Sequence, residues 1–211
     1  MKIEIDSIKP PSKIVCVGRN YAEHAKELGN EIPNDPLLFL KAPSALICNG
    51  EAIKIPPQSG QVEHEGELAV IIGRTCKDLG EEDNPLDYVL GYTCLNDVTA
   101  RDVQRKDVQF TRGKSFDTFC PIGPVVETAL DVSDIRVTTR LNGVVRQEGR
   151  TSQMVFPVDF LIGYISKQMT LVEGDIIATG TPAGVSKMEP GDVCEVEIEG
   201  VGTLRNPVEK A

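Results

Sequence analysis

Residues 64–72 read His64-Glu65-Gly66-Glu67-Leu68-Ala69-Val70-Ile71-Ile72. The unbroken apolar run from Leu68 to Ile72, rich in β-branched residues, predicts a strand entering a core. Residues i and i+2 of a strand share a face, so Glu65 and Glu67 project side by side while Leu68, Val70 and Ile72 turn the other way. Their Cα atoms are then roughly 7 Å apart. Two ionised carboxylates on one partly buried face repel each other, so one proton is retained or a cation sits between them. Oxygen-only ligands favour Mg²⁺, Mn²⁺ or Ca²⁺ over zinc. A solvated strand face carrying two surface glutamates is the alternative that the spacing alone leaves open.

Working outward from this strand, short apolar runs at Ile14–Val17, Leu37–Leu40, Val89–Leu95, Ile176–Ala178 and Val193–Ile198 predict further strands. Asn142-Gly143 between β-favouring residues predicts a hairpin over 137–145. Helices are expected over 22–28, 98–106 and 158–169. Asn20 and Glu23 would cap the first, and Leu161, Ile165 and Met169 line one face of the last. Residues 1–12, with Pro10-Pro11, read as a short N-terminal arm or edge strand before one domain over 13–211. No βαβ rhythm and no internal repeat are evident. The expected class is a β-rich α+β fold with few short helices.

The chain has 211 residues and a net charge of -10. An acidic surface repels phosphate backbones and anionic lipids, which argues against nucleic-acid and membrane partners. A small anionic substrate remains compatible, because a bound cation reverses the local field. The six cysteines are scattered without a C-x-x-C pair, so they read as reduced thiols rather than a zinc or redox site. With no signal-peptide pattern at the N-terminus, the cytosol is the default expectation.

Other chemistry-bearing residues surround the strand. Asp97 ends one strand and precedes a helix, as a third ligand or simply an N-cap. Lys114 lies between Phe110 and Phe116, either reaching solvent or held in a pocket. Its Gly-Lys-Ser context is no phosphate loop, because that motif needs glycine where Val108 stands. Thr179-Gly180-Thr181-Pro182 forms a turn that can offer an N–H and a hydroxyl to a carboxylate. His24 and Glu27 are i, i+3 on the first helix, so their side chains can meet. The carboxylate would then orient the imidazole, unless both are plain surface residues.

Taken in order, Gly18-Arg19-Asn20-Tyr21 with His24, Phe39-Leu40-Lys41, His64-Glu65-x-Glu67-Leu68, Asp97-x-Thr99-Ala100-Arg101-Asp102, Lys114-Ser115-Phe116-Asp117 and Thr179-Gly180-Thr181-Pro182 resemble the catalytic domain of the fumarylacetoacetate hydrolase family. The similarity is to its short branch of acylpyruvases, oxaloacetate decarboxylases and 2-hydroxyhepta-2,4-diene-1,7-dioate isomerases. The resemblance implies a mixed β-sandwich roll, usually a homodimer. It also implies that Glu65, Glu67 and Asp97 bind Mg²⁺ or Mn²⁺ and that Lys114 contacts the substrate or its enolate. Arg19, Tyr21, Lys41, Arg101, Gln104 and Thr181 would lie near the substrate. His24 and Glu27 match a pair that activates water from a mobile helix in acylpyruvase-like members.

Three functions follow from these residues. The leading expectation is hydrolysis of a C–C bond in an acylpyruvate-type 2-oxo acid through a metal-stabilised enolate, which needs His24 as a base. Oxaloacetate decarboxylation or dioate isomerisation would use the same site without activated water. A non-catalytic protein with a structural metal would require neither Lys114 nor the His24–Glu27 pair.

Overall fold

The computed structural model describes all 211 residues. Its strands in chain order are β1 (Lys2–Glu4), β2 (Ile14–Gly18), β3 (Leu37–Lys41), β4 (Leu46–Ile47), β5 (Ile53–Ile55), β6 (Val62–Glu63), β7 (Gly66–Ile72) and β8 (Val89–Asn96). They continue with β9 (Thr99–Ala100), β10 (Cys120–Glu127), β11 (Arg136–Leu141), β12 (Val144–Arg150), β13 (Ile176–Ala178), β14 (Val193–Ile198) and β15 (Gly202–Lys210). Four helices interrupt them: α1 (Ala22–Glu27), α2 (Arg101–Lys106), α3 (Thr111–Lys114) and α4 (Val158–Gln168). This is the β-rich α+β class that the sequence predicts.

An eight-stranded sheet runs in the order β1-β10-β8-β7-β13-β2-β3, with β4 pairing on β10. A five-stranded sheet, β12-β11-β14-β15-β5, packs against it, and β6 pairs with β9. The strand that begins between the two glutamates, β7, lies in the middle of the large sheet and is buried throughout. Its alternate residues feed two cores. Leu68, Val70 and Ile72 meet Leu161, Ile162 and Ile165 of α4 together with Val137 and Val196 of the second sheet. Ala69 and Ile71 join Ile14, Cys16, Phe119 and Ile176 on the other side. Each fully buried Leu, Ile, Val or Phe among them contributes roughly 1.5–3 kcal/mol. Truncating Leu68 to alanine would cost about 2–5 kcal/mol.

The Asn142-Gly143 hairpin forms as expected, with both residues at positive φ (54° and 77°), joining β11 to β12. Residues 2–4 form the edge strand β1 on β10. Two local expectations are corrected. The second helix starts at Arg101 rather than Val98, because Thr99 and Ala100 extend to pair with Val62 and Glu63. Asn20 does not cap α1, whose N-cap is Tyr21 without a side-chain bond. The buried Asn20 amide is taken up elsewhere: Nδ2 donates to the carbonyls of Phe156 and Thr179, and Oδ1 accepts from the Phe156 N–H. The short helix α3, which carries Lys114, has no periodic signature in the sequence. All six cysteines are free thiols. No helix is long and apolar enough to cross a membrane.

Candidate active site

The β7–β8 ladder brings the three carboxylates together. Gly66 pairs with Asn96 at the ends of these strands. The Asn96 side chain accepts from the Glu65 N–H at 2.9 Å, and the Asp97 N–H donates to the Glu65 carbonyl at 2.8 Å. Glu65, Glu67 and Asp97 are all buried, and their carboxylate oxygens lie within 4.8 Å of one another. Glycine is required between the two glutamates. A Cβ on Gly66 would sit 1.9 Å from Thr139 Oγ1, on the second sheet.

Cations surround this cluster unevenly. Lys114 Nζ donates to Glu65 Oε2 at 2.8 Å and Asp97 Oδ2 at 2.6 Å, with its charge 5.1 Å from the Phe39 ring centre. Lys41 Nζ donates to Asp97 Oδ1 at 2.7 Å. Arg101 pairs with both Glu65 and Glu63, and its Nη1 donates to Gln104 Oε1. Burial opposes ionisation of Glu65, but the Lys114 and Arg101 charges outweigh it and hold its pKa well below the ordinary value. Burial likewise disfavours the Lys114 ammonium, and the Asp97 and Glu65 carboxylates more than compensate, so its pKa is raised. Glu67 differs. Burial, then the neighbouring Asp97 and Glu65 charges, push its carboxyl well above the usual range.

Glu67 has no ion-pair partner, and its one hydrogen bond comes from the Gly180 N–H at 2.7 Å. Three converging carboxylates, one lacking a countercharge, fit a hard divalent cation, and their donors are all oxygens.

Beside the carboxylates, His24 Nδ1 lies 3.1 Å from Glu27 Oε2, and the Gly184 N–H donates to the same carboxylate at 3.0 Å. A carboxylate only accepts, so Nδ1 carries a proton, and in the neutral imidazole it is Nε2 that keeps the lone pair. A cleft of about 320 Å³ is lined by Arg19, His24, Glu27, Glu65, Glu67, Asp97, Arg101, Gln104, Lys114 and Thr181. The geometry thus brings together most of the residues picked from sequence.

Two of them stand outside the cleft wall. Lys41 is 1% exposed and spends its bonds on Asp97 and the Val98 carbonyl, so it supports a carboxylate rather than facing a ligand. Tyr21 packs into the apolar core with Val17 and Phe156, its hydroxyl unpartnered. At Thr181 the hydroxyl proton goes to the Gly66 carbonyl, so the backbone N–H is the free donor.

Sequence reasoning missed Asn96, Glu63 and Arg105. Asn96 had a usable signal, since it directly precedes Asp97. The pairing of Glu63 with Arg101 depends on strands brought together only by folding.

The fumarylacetoacetate (FAA) hydrolase C-terminal model matches residues 13–209. The oxaloacetate tautomerase YisK of Bacillus subtilis is 42% identical over 221 residues, covering 99% of this chain and 73% of its own length. The mitochondrial oxaloacetate decarboxylase of Dictyostelium discoideum is 44% identical over 198 residues, with 90% of each chain covered. The crystal structure of a 5-carboxymethyl-2-hydroxymuconate delta-isomerase from Mycobacterium smegmatis superposes with a TM-score of 0.89. That protein is 48% identical, and the match covers 96% of this chain and 80% of the other. Agreement along nearly the whole length, in fold and in sequence, makes this chain an enzyme of the fumarylacetoacetate hydrolase family.

Proposed function

We propose that this enzyme acts on a small 2-oxo dicarboxylic acid of the oxaloacetate class, moving a proton at C3 by way of the enolate, with Mg²⁺ or Mn²⁺ held by Glu65, Glu67 and Asp97. The observation that carries this reading is the charge of the cleft. Four carboxyl groups line it (Glu27, Glu65, Glu67, Asp97), and so do four permanent cations (Arg19, Arg101, Arg105, Lys114). A divalent cation leaves an excess of two positive charges, which a dicarboxylate balances. Arg19 forms no ion pair or hydrogen bond, and Arg105 makes only a 3.3 Å contact with Gln61. Two uncommitted guanidinium groups at one cleft suit a second, distal carboxylate. The names of the Bacillus and Dictyostelium relatives support the same substrate.

A hard divalent cation would supply Lewis acidity toward a chelating 2-oxo acid. The chain's own groups do the rest. His24 Nε2 takes the C3 proton or returns it, and Glu27 steadies the imidazolium. Lys114 has spent two of its three N–H donors on carboxylates, and the third can meet the developing C2 oxyanion. Arg101 holds Gln104 in the wall. In ketonisation the enol loses its O–H proton and C3 gains one, so neither water nor carbon leaves.

C–C hydrolysis of acylpyruvates, the leading expectation from sequence, is the second reading. The orientation of His24 by Glu27 favours it, because the same imidazole could deprotonate a water.

The test is a panel with added Mg²⁺ or Mn²⁺. Oxaloacetate keto–enol interconversion is followed by enol absorbance, decarboxylation by CO₂ release, and hydrolysis by loss of acetylpyruvate. Faster oxaloacetate interconversion is expected. Acceleration of acetylpyruvate loss alone would overturn the tautomerase reading in favour of the hydrolytic one.

A further inference from the structure

Gln147, on β12 of the second sheet, has no exposed surface. Its Oε1 accepts from the Gly66 N–H at 3.1 Å and from His64 Nδ1 at 2.9 Å. Its Nε2 donates to Thr181 Oγ1 at 2.7 Å and to the Pro182 carbonyl at 2.6 Å. All four hydrogen-bonding positions of the amide are therefore filled. An apolar residue of the same size could fill this space, so the amide is there for what it holds.

Its partners belong to the two halves of the site. Gly66 separates Glu65 from Glu67 in the chain. Residues 180–184 form a segment that touches the site at three points. The Gly180 N–H donates to Glu67, the Thr181 N–H is unpartnered at the cleft, and the Gly184 N–H donates to Glu27. Strand β12 also grips the far end of this segment. A Cβ on Gly184 would lie 2.0 Å from the Arg146 carbonyl oxygen and 3.3 Å from Gln147 Cα. His64 completes the bracket, with Nε2 accepting from Ser186 Oγ at 2.8 Å.

We infer that Gln147 is a positioning residue: it pins segment 180–184 to the Glu65–Glu67 strand, and through Gly184 and Glu27 it fixes the direction of the His24 lone pair. Without it the turn has fewer ties to β7, and the Gly184 N–H no longer meets Glu27 squarely. A displacement on the order of 1 Å in such a group can reduce catalysis about 100-fold. This inference rests on His24 serving as the base.

A double-mutant cycle on the metal-loaded enzyme with oxaloacetate tests it, using Gln147→Leu, Glu27→Gln and the double variant. Gln147→Leu should lower kcat about 10- to 100-fold. It should also shift the His24-dependent limb of the kcat/KM pH profile in the same direction as Glu27→Gln. The double variant should be less impaired than the product of the single losses, since both disturb one chain of contacts. Gln147→Glu keeps an acceptor for Gly66 and His64 and loses both donors to the turn, and it serves if the leucine variant does not fold. Losses that multiply, or a lowered melting temperature with kcat and the pH profile unchanged, would overturn the inference. A Glu27→Gln enzyme with wild-type activity and pH profile would instead overturn the assignment of the base. If neither Gln147 variant folds, hydrogen exchange in the wild type decides: a Gly184 amide exchanging as fast as an open loop amide overturns the pin, and a slowed one supports it.

Discussion

Lys41 donates to Asp97 Oδ1 at 2.7 Å from a side chain with no exposed surface. The lysine is therefore a brace for a carboxylate, and the neighbouring Val98 carbonyl, at 3.1 Å, keeps it in place. In Lys41→Met the ammonium disappears and the buried Asp97 keeps Lys114 as its one charged partner, a change that costs about 1–3 kcal/mol. Urea melts should register that loss, and calorimetric titration should show weaker Mn²⁺ binding. Unchanged Mn²⁺ affinity with a raised substrate KM would return Lys41 to the substrate.

Glu67 should behave as a liability when no cation is supplied. Its folded pKa is raised, first by burial and then by Asp97 and Glu65. The unfolded chain therefore ionises first, and stability falls as pH rises from about 4.3 toward the folded pKa. In EDTA-treated protein Glu67→Gln should remove this decline and melt higher at neutral pH, while losing most of its Mn²⁺ affinity. Parallel pH–stability curves for the two proteins would refute the assignment.

Asp175 should act in the opposite direction. Its carboxylate accepts from the Ser12 N–H and hydroxyl, the Lys13 N–H and ammonium, and the Val172 N–H. Burial opposes its ionisation, but these donors prevail and its pKa is lowered. Its stabilisation is complete above the unfolded pKa, near 3.9, and disappears as pH falls through the folded one. Asp175→Asn should cost about 2–3 kcal/mol at pH 7. The difference from wild type should shrink in acid, as denaturant melts between pH 7 and pH 2 would reveal; a difference independent of pH would contradict the linkage.

His24→Ala separates proton transfer from ligand binding. General-base help is worth about 10²- to 10⁴-fold, so kcat/KM should fall by that order. Oxalate, which can chelate a cation but has no C3 proton, should inhibit the variant as it does the wild type. Loss of oxalate inhibition along with activity would mean that His24 shapes the site instead. Oxaloacetate decarboxylation should suffer less than acetylpyruvate hydrolysis, which needs an activated water.

Arg105→Gln probes the distal carboxylate. One charge-assisted hydrogen bond is worth about 1.5–3 kcal/mol, so oxaloacetate KM should rise roughly 10- to 100-fold. Oxalate inhibition should be untouched, because oxalate has nothing beyond the chelating end. Equal weakening for both ligands would remove the argument for a dicarboxylic substrate.

Much of this was legible in the sequence because it is periodic or local. The apolar run after Glu67, the Asn142-Gly143 turn and the helical spacing of Leu161 and Ile165 each encode their own structure. His24 and Glu27 are three residues apart, so their meeting requires only one turn of helix. Lys41 and Asp97 are 56 residues apart, and whether a buried lysine faces a ligand or braces a carboxylate depends on which strands become neighbours. The Thr181 hydroxyl and the Asn20 amide misled for a related reason. The hydroxyl read as free for a ligand and the amide as the cap of its own helix, and folding gave each a distant backbone partner instead.

The hydrogen-only side chain at position 66 sets a rule for anyone wishing to move this chemistry elsewhere. A bare Glu-Gly-Glu grafted onto a foreign scaffold would carry the carboxylates without the second sheet that presses on the glycine. The strand itself sets the gap between the two acids; what the stacked sheets add is the demand for glycine between them, and a transplant that leaves the outer layer behind would leave that demand behind with it.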